Sequence, residues 1–256
     1  MSRVRTATAA GVARITLARA DKRNALDQLM VQALLDAVRG AGADASVLVV
    51  LIDAEGPDFC AGADLEALAA MRDAAPERQR KDADLLGELF VALRGLPKPV
   101  VAAVRGRALA GGAGLATACD IVLAHEESRF GYPEVKVGFV PAMVMTMLRR
   151  TVGEKPAFEL VATGRQVDAR EALALGLISR VLPAATFDAD VDTFVAALAA
   201  TPAAAVRLTK RLFYALDTRG FEAGISLGAQ TNVESRATPD FREGVARYAR
   251  GGKEGA

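Results

Sequence analysis

The chain has 256 residues, 52% of them hydrophobic and 25% charged, a balance that suits a globular domain and excludes a disordered or coiled-coil chain. Lys+Arg 32 against Asp+Glu 31 leave a net charge of +1, so there is no overall basic excess to hold nucleic acid through its phosphates. No run approaches the roughly 18–20 apolar residues of a membrane span, Met1–Arg5 lacks the apolar segment of a signal peptide, and Cys60 and Cys119 make neither a disulfide framework nor a zinc-ligand set. The expected setting is therefore cytoplasmic, with no membrane, nucleic-acid or metal partner. Residues 3–18 read as two strands broken at Ala10-Gly11. Asp27 can cap a helix carrying Leu29, Val31, Leu34, Leu35 and Val38, which ends near Gly40 and Gly42. Val47 to Ile52 is a short β-branched run, the pattern of a strand buried on both faces.

A turn at Glu55-Gly56-Pro57-Asp58 precedes two helical stretches, roughly 64–72 and 77–95. Val100 to Val104 is a second buried strand, followed by a glycine-rich turn and an Ala-rich helical pattern, and Ile121 to Ala124 is a third. Asp168 and Glu171 have cap-box spacing for a helix ending at Gly176, and Ile178 to Leu182 then reads as a strand. From about Phe187 the pattern is helical only, with Pro202 and Pro239 at helix starts. Strands alternating with helices, then helices alone, predict an α/β core and a C-terminal helical region, placed here at 1–198 and 199–256.

The chemistry concentrates in three segments. In Arg105 to Asp120 a strand runs through glycines into a helix, so unpaired backbone N–H groups and the helix dipole favour an anion, or an oxygen that becomes one. Asp58-Phe59-Cys60-Ala61-Gly62-Ala63-Asp64 is a second turn of the same character, with Asp64 placed to start a helix. Two N–H donors from separate turns, converging on one oxygen, make an oxyanion hole. Each turn taken alone equally suits an ordinary strand-to-helix connection. The glycine spacing does not match the G-x-G-x-x-G of dinucleotide binding, and the Gly-Lys-Ser/Thr of a P-loop is absent. In the third segment Glu134 lies among Phe130, Tyr132, Val135, Val137, Phe139 and Val140, where a carboxylate has a raised pKa and serves as acid or base. The alternative is an exposed Glu on a strand, paired with Lys136. His125, Ser128 and Cys60 lack the partners of a nucleophilic site and are read as structural.

Six segments in order resemble the crotonase superfamily, the enoyl-CoA hydratase/isomerase family: Arg19 to Leu26, Phe59 to Leu65, Lys98 to Val104, the glycine stretch through Cys119-Asp120-Ile121, Phe130 to Glu134, and Glu171 to Ile178. The resemblance implies a spiral of ββα units whose C-terminal helices build a homotrimer or homohexamer. It implies an acyl-CoA thioester substrate, with coenzyme A part of that substrate and no separate cofactor. Ala63 and Gly111 would donate their N–H groups to the thioester oxygen, and Glu134 would be the acid/base. Lys22, Arg23, Ala25, Ala61, Gly62, Asp64 and Leu65 would contact CoA.

Two departures from the family pattern stand out. The first of the two hydratase glutamates falls at Gly114, and an acid used by other members falls at Ala142, so one carboxylate is supplied rather than two. Arg250-Gly251-Gly252-Lys253 replaces the family's Lys-Arg-Pro ending. One base suffices to shift a double bond, whereas hydration usually employs a second group to orient water. Double-bond isomerisation and hydration thus compete as the expected reaction. A non-catalytic CoA-thioester-binding or interaction protein is the alternative, and RNA binding on the same fold is disfavoured by the balanced charge.

Overall fold

Ala10 and Gly11 both take positive φ, 48° and 79°, the two-residue turn whose twist matches a hairpin. They join β1 (Val4–Ala9) to β2 (Val12–Leu17) in antiparallel register, with Ala9 opposite Val12. The computed structural model in which this is seen describes residues 2–251. Asp27 caps α1 (Gln28–Ala43) by accepting from Met30 N, as its position predicts. The chain continues through β3 (Val49–Ala54), α2 (Leu65–Ala70), α3 (Pro76–Gly95), β4 (Val100–Val104), β5 (Arg107–Leu109), α4 (Gly111–Ala118), β6 (Ile121–His125) and β7 (Arg129–Gly131). A 3-10 turn at Pro133–Val137 leads to α5 (Ala142–Val152), α6 (Glu154–Thr163), β8 (Gln166–Asp168), α7 (Ala169–Ala174) and β9 (Arg180–Leu182). Four helices follow, α8 (Phe187–Ala199), α9 (Ala203–Ala215), α10 (Phe221–Arg236) and α11 (Pro239–Gly251).

The strands form two sheets among the described residues, one in the order β1-β2-β3-β4-β6-β9 and the other β5-β7-β8. From β2 onward the larger sheet is parallel. Successive strand pairs β4–β5 and β6–β7 each place one strand in either sheet before the chain turns into helix, which is the expected spiral of ββα units. β3 shows why its sequence lacks polar alternation. Val50 and Ile52 pack with Leu34, Leu35, Leu89 and Leu93 of α1 and α3, while Val49 and Leu51 pack with Phe187, Val191 and Val195 of α8.

Several boundaries differ from expectation. The strand expected at 47–52 begins at Val49, because Leu48 N and Val49 N both donate to Gly11 O and the chain meets β2 only from there. The strand expected from Ile178 begins at Arg180, after Ser179 N donates to Val122 O. The second sheet consists of three-residue strands, too short for a periodic signal, and α5 and α6 meet at Gly153, whose φ is 80°.

Beyond α8 the helices attach through a buried knot. Lys210 Nζ of α9 donates to Leu93 O (2.9 Å), Lys98 O (2.9 Å) and Asp120 Oδ2 (2.7 Å), and Tyr214 Oη donates to Asp120 Oδ1 (2.6 Å). Burial pushes the Lys210 ammonium below its ordinary value, with Asp120 opposing. α10 and α11 leave Phe221, Ile225, Val233 and Val245 exposed. Among the described residues no single helix is long and apolar enough to cross a membrane. Gly252 and Lys253, part of the departing C-terminal segment, lie outside the described residues.

Candidate active site

The two turns singled out in the sequence lie side by side. Cys60 N donates to Arg107 O (3.0 Å) and Leu109 N to Cys60 O (2.9 Å), a parallel bridge between Cys60 and Ala108. Asp58, buried at its base, receives Arg107 N (3.0 Å) and Nε (2.8 Å) on Oδ1 and Arg107 Nη2 (2.8 Å) on Oδ2. Burial opposes the Asp58 charge, yet these bonds hold its carboxyl below the usual carboxylate range. The contact is close enough that a Cβ on Gly112 would strike Cys60, and one on Gly62 would come within 2.7 Å of Ala110 Cβ and 2.8 Å of Leu109 O.

This apposition fixes two backbone donors. Leu26 N donates to Gly62 O (2.7 Å) and Asp64 N to Leu26 O (2.9 Å), so the bridge uses the groups on either side of Ala63 and turns the Ala63 N–H the other way. Asp64 then caps α2, accepting from Glu66 N (3.0 Å) and Ala67 N (3.1 Å), and pairs with Arg19 at 2.7 Å. In the second turn Ala110 is held at φ 50°, ψ −124°, with its N–H on Gly131 O (2.8 Å). A non-glycine residue rarely adopts this conformation. Its consequence is that Gly111, the first residue of α4, presents a free N–H. Neither the Ala63 nor the Gly111 N–H meets an acceptor among the described residues, and both residues line one cavity of about 1120 Å³.

Glu134 lines the same cavity. It sits in the 3-10 turn rather than on a strand, is 9% exposed, and makes no pair with Lys136. Tyr132, fully buried just before it, shares a 2.9 Å hydrogen bond with Thr117 Oγ1 and so ties this segment to α4. Glu134 Oε2 is buried without a hydrogen-bond partner among the described residues. Burial raises its pKa above the ordinary carboxylate value, offset in part by a hydrogen bond from its own backbone N–H.

Gly114, where a second acid was expected to be missing, faces apolar side chains. A Cβ there would collide with Val144 Cγ1 and come within 3.2 Å of Phe90 Cζ. Val144 and its neighbour Met143 line the cavity, as do Phe139 and Val140 before α5 and Leu85, Leu86 and Gly87 of α3. These walls were not singled out from the sequence. The apolar spacing Val144, Met147, Leu148 marks α5 as amphipathic, but nothing in it indicates that its first turn closes over α4.

Of the other candidate residues, Asp64 lines the cavity. Ala25 and Gly62 are buried in the apposed turns, and Ala61 N donates to Arg23 O (3.0 Å). Leu65 is exposed, Lys22 Nζ pairs with Glu66 at 2.7 Å, and Arg23 Nε lies 3.9 Å from Asp58. The loop carrying Lys22 to Ala25 is held by Asn24. Its buried side chain accepts from Arg19 N (2.8 Å) and donates to Glu55 O and Asp58 O (2.9 Å each), with Arg23 and Asn24 both at positive φ. His125 Nδ1 accepts from Glu127 N, Ser128 Oγ donates to Val104 O, and Cys60 Sγ donates to Asn24 O. Burial pushes the Cys60 thiol up to about 12, leaving it protonated and inert. No group of side chains suited to a metal ion occurs among the described residues.

Comparison with known proteins places this site in context. The enoyl-CoA hydratase/isomerase family profile matches residues 7–254. A provisionally named enoyl-CoA hydratase of Thermus thermophilus is 42% identical over 228 residues, covering 89% of this chain and 90% of the relative. The 2,3-dehydroadipyl-CoA hydratase of Escherichia coli is 32% identical over 235 residues, covering 91% and 90%. Among solved structures, an enoyl-CoA hydratase of Mycobacterium smegmatis superposes with a TM-score of 0.92 at 32% identity, covering 97% of this chain and 96% of the other.

Proposed function

The chain belongs to the enoyl-CoA hydratase/isomerase family, and from that premise we propose that it shifts the double bond of an enoyl-CoA thioester, with Glu134 as the single acid/base. The thioester oxygen is taken by the N–H groups of Ala63 and Gly111. The Glu134 carboxylate removes a proton from C2 of a 3-enoyl thioester, the electron pair moves into the dienolate, and negative charge develops on the oxygen. The same carboxyl returns the proton at C4, which yields the conjugated 2-enoyl thioester. Two preorganised donors suit that charge, and one such donor is worth about 2.7–4 kcal/mol in comparable sites. The step moves one proton and makes no demand for a separate cofactor. The observation that carries this proposal is that Glu134, a carboxylate whose pKa is raised by burial, lines the same cavity as two backbone N–H groups that meet no acceptor among the described residues.

Isomerisation is preferred to hydration because the place of a second acid is closed by Val144 and Phe90. Hydration is the second reading, favoured by the names of the relatives. Purified protein given 3-hexenoyl-CoA is expected to produce conjugated enoyl absorbance, and Glu134→Gln to lower that rate by about 10²–10⁴-fold. Rapid loss of crotonyl-CoA absorbance in the wild type would instead establish hydration. Tight binding of CoA thioesters with neither reaction would leave a non-catalytic binding protein. The C-terminal helices are further proposed as the surface of a homotrimer or homohexamer, built on exposed Phe213, Phe221, Ile225 and Val233. A monomer by light scattering would overturn that assignment.

A further inference from the structure

Gly87 lies in the interior of α3 with ordinary helical φ, where a glycine weakens the helix relative to alanine. No backbone approaches it. A Cβ there would meet only Met143 Sδ of α5, at 3.4 Å, an ordinary contact. The residue lines the cavity, as do Ala83 and Val91 one turn to either side. Three residues along α3, Phe90 meets Gly114 together with Val144, the neighbour of Met143. The Gly87–Met143 pair is thus a second layer, about 4.5 Å along α3 from the layer that closes over α4. Glu134 lines the same cavity.

We propose that Gly87 and Met143 set the acyl specificity of the site: with no side chain at Gly87, only the flexible end of Met143 stands between α3 and α5, and its displacement admits an uncharged apolar acyl group longer than four carbons. The proposal rests on the acyl-CoA function above. α3 contributes Arg78 and Arg80 to the cavity wall against Asp82, Asp84 and Glu88, so it holds no positive excess for a terminal carboxylate. Arg80 is in any case paired with Asp84 at 2.7 Å, and Glu88 with Arg39.

Calorimetry with the saturated thioesters butanoyl-, octanoyl- and adipoyl-CoA separates recognition from turnover. The wild type is expected to bind octanoyl-CoA at least about 10-fold more tightly than butanoyl-CoA, with no such gain for adipoyl-CoA. Gly87→Leu should remove at least about 10-fold of the octanoyl preference, and Met143→Phe on the opposite wall should act in the same direction. Gly87→Ala should raise Tm while keeping the preference. Equal weakening of both thioesters by Gly87→Leu and Met143→Phe, or a preference that survives in both folded variants, overturns the assignment. So does butanoyl-CoA binding without length preference in the wild type. Failure to bind any thioester overturns instead the function on which it rests.

Discussion

Gly114→Glu supplies the carboxylate that the family resemblance implies for this position, and the structure says what it meets. The first carbon of the new side chain collides with Val144 Cγ1 and lies 3.2 Å from Phe90 Cζ and 3.3 Å from Val144 Cβ. Gly114 and Val144 are both buried, so α5 must shift or Val144 must leave its rotamer. Overpacking of this kind costs about 1–3 kcal/mol, and at about 2–4 °C per kcal/mol for a chain of this size the single variant should melt about 2–12 °C below wild type. Val144→Ala removes the colliding methyl at a cost of its own, about 1–2 kcal/mol for two buried methyls. The remaining approaches need only a few tenths of an ångström. The double variant should therefore be more stable than the sum of the two changes by about 1 kcal/mol or more. Thermal melts of the four proteins measure that coupling, and crotonyl-CoA hydration read on the same samples should rise above wild type only when both changes are present. Gly114→Glu melting at the wild-type temperature, or strict additivity of the pair, would refute the packing assigned to this position.

Three further outcomes are expected. Burial raises the Glu134 pKa, so the folded protein holds that proton to higher pH than the unfolded chain does. Wild-type stability should accordingly fall as pH rises from the ordinary carboxylate value through the raised one; Glu134→Gln abolishes that fall, and the acidic limb of activity sits above the usual carboxylate range, both readable from melts and rates against pH. Lys210→Met takes the ammonium donor from Leu93 O, Lys98 O and the half-buried Asp120 carboxylate, which keeps Val100 N and Tyr214 Oη, and at about 1–3 kcal/mol for a group left without its partner it should cost about 2 kcal/mol or more in urea unfolding. Asn24→Ala leaves Glu55 O, Asp58 O and Arg19 N without their side-chain partner; at about 1–3 kcal/mol for each buried group unsatisfied, a loss of about 3 kcal/mol or more is expected in thermal melts.

Local chemistry made part of this molecule readable in advance. Asp27 and Asp168 sit one residue before their helices and accept from Met30 N and Glu171 N, because capping depends on a side chain and backbone within three residues of it. The run at β3 was legible as buried on both faces because α1, α3 and α8 leave no solvated side. Glu134 stood out for the same kind of reason, a carboxylate in an apolar segment. What stayed hidden depends on apposition across the chain. β5 pairs with β7 over three residues only, and the free N–H of Ala63 is set by Leu26, which pairs with the groups on either side of it. No spacing along the sequence carries such a relation.

Gly114 joins the two cases. Its lack of a carboxylate was plain in the sequence, but an absent side chain leaves two possibilities open: a space that water can fill, or a surface against which something else packs. Val144 from α5 and Phe90 from α3 decide for the second. They come from segments 30 residues later and 24 residues earlier, 144 − 114 and 114 − 90. In the proposed reaction, the lack of a second acid and the filling of its place with two apolar side chains act together. The first takes away a group that orients water, and the second dries the side of the cavity where that water would stand. On the proposed mechanism, a single base beside two free N–H groups then favours returning the proton to the same carbon skeleton over adding water to it.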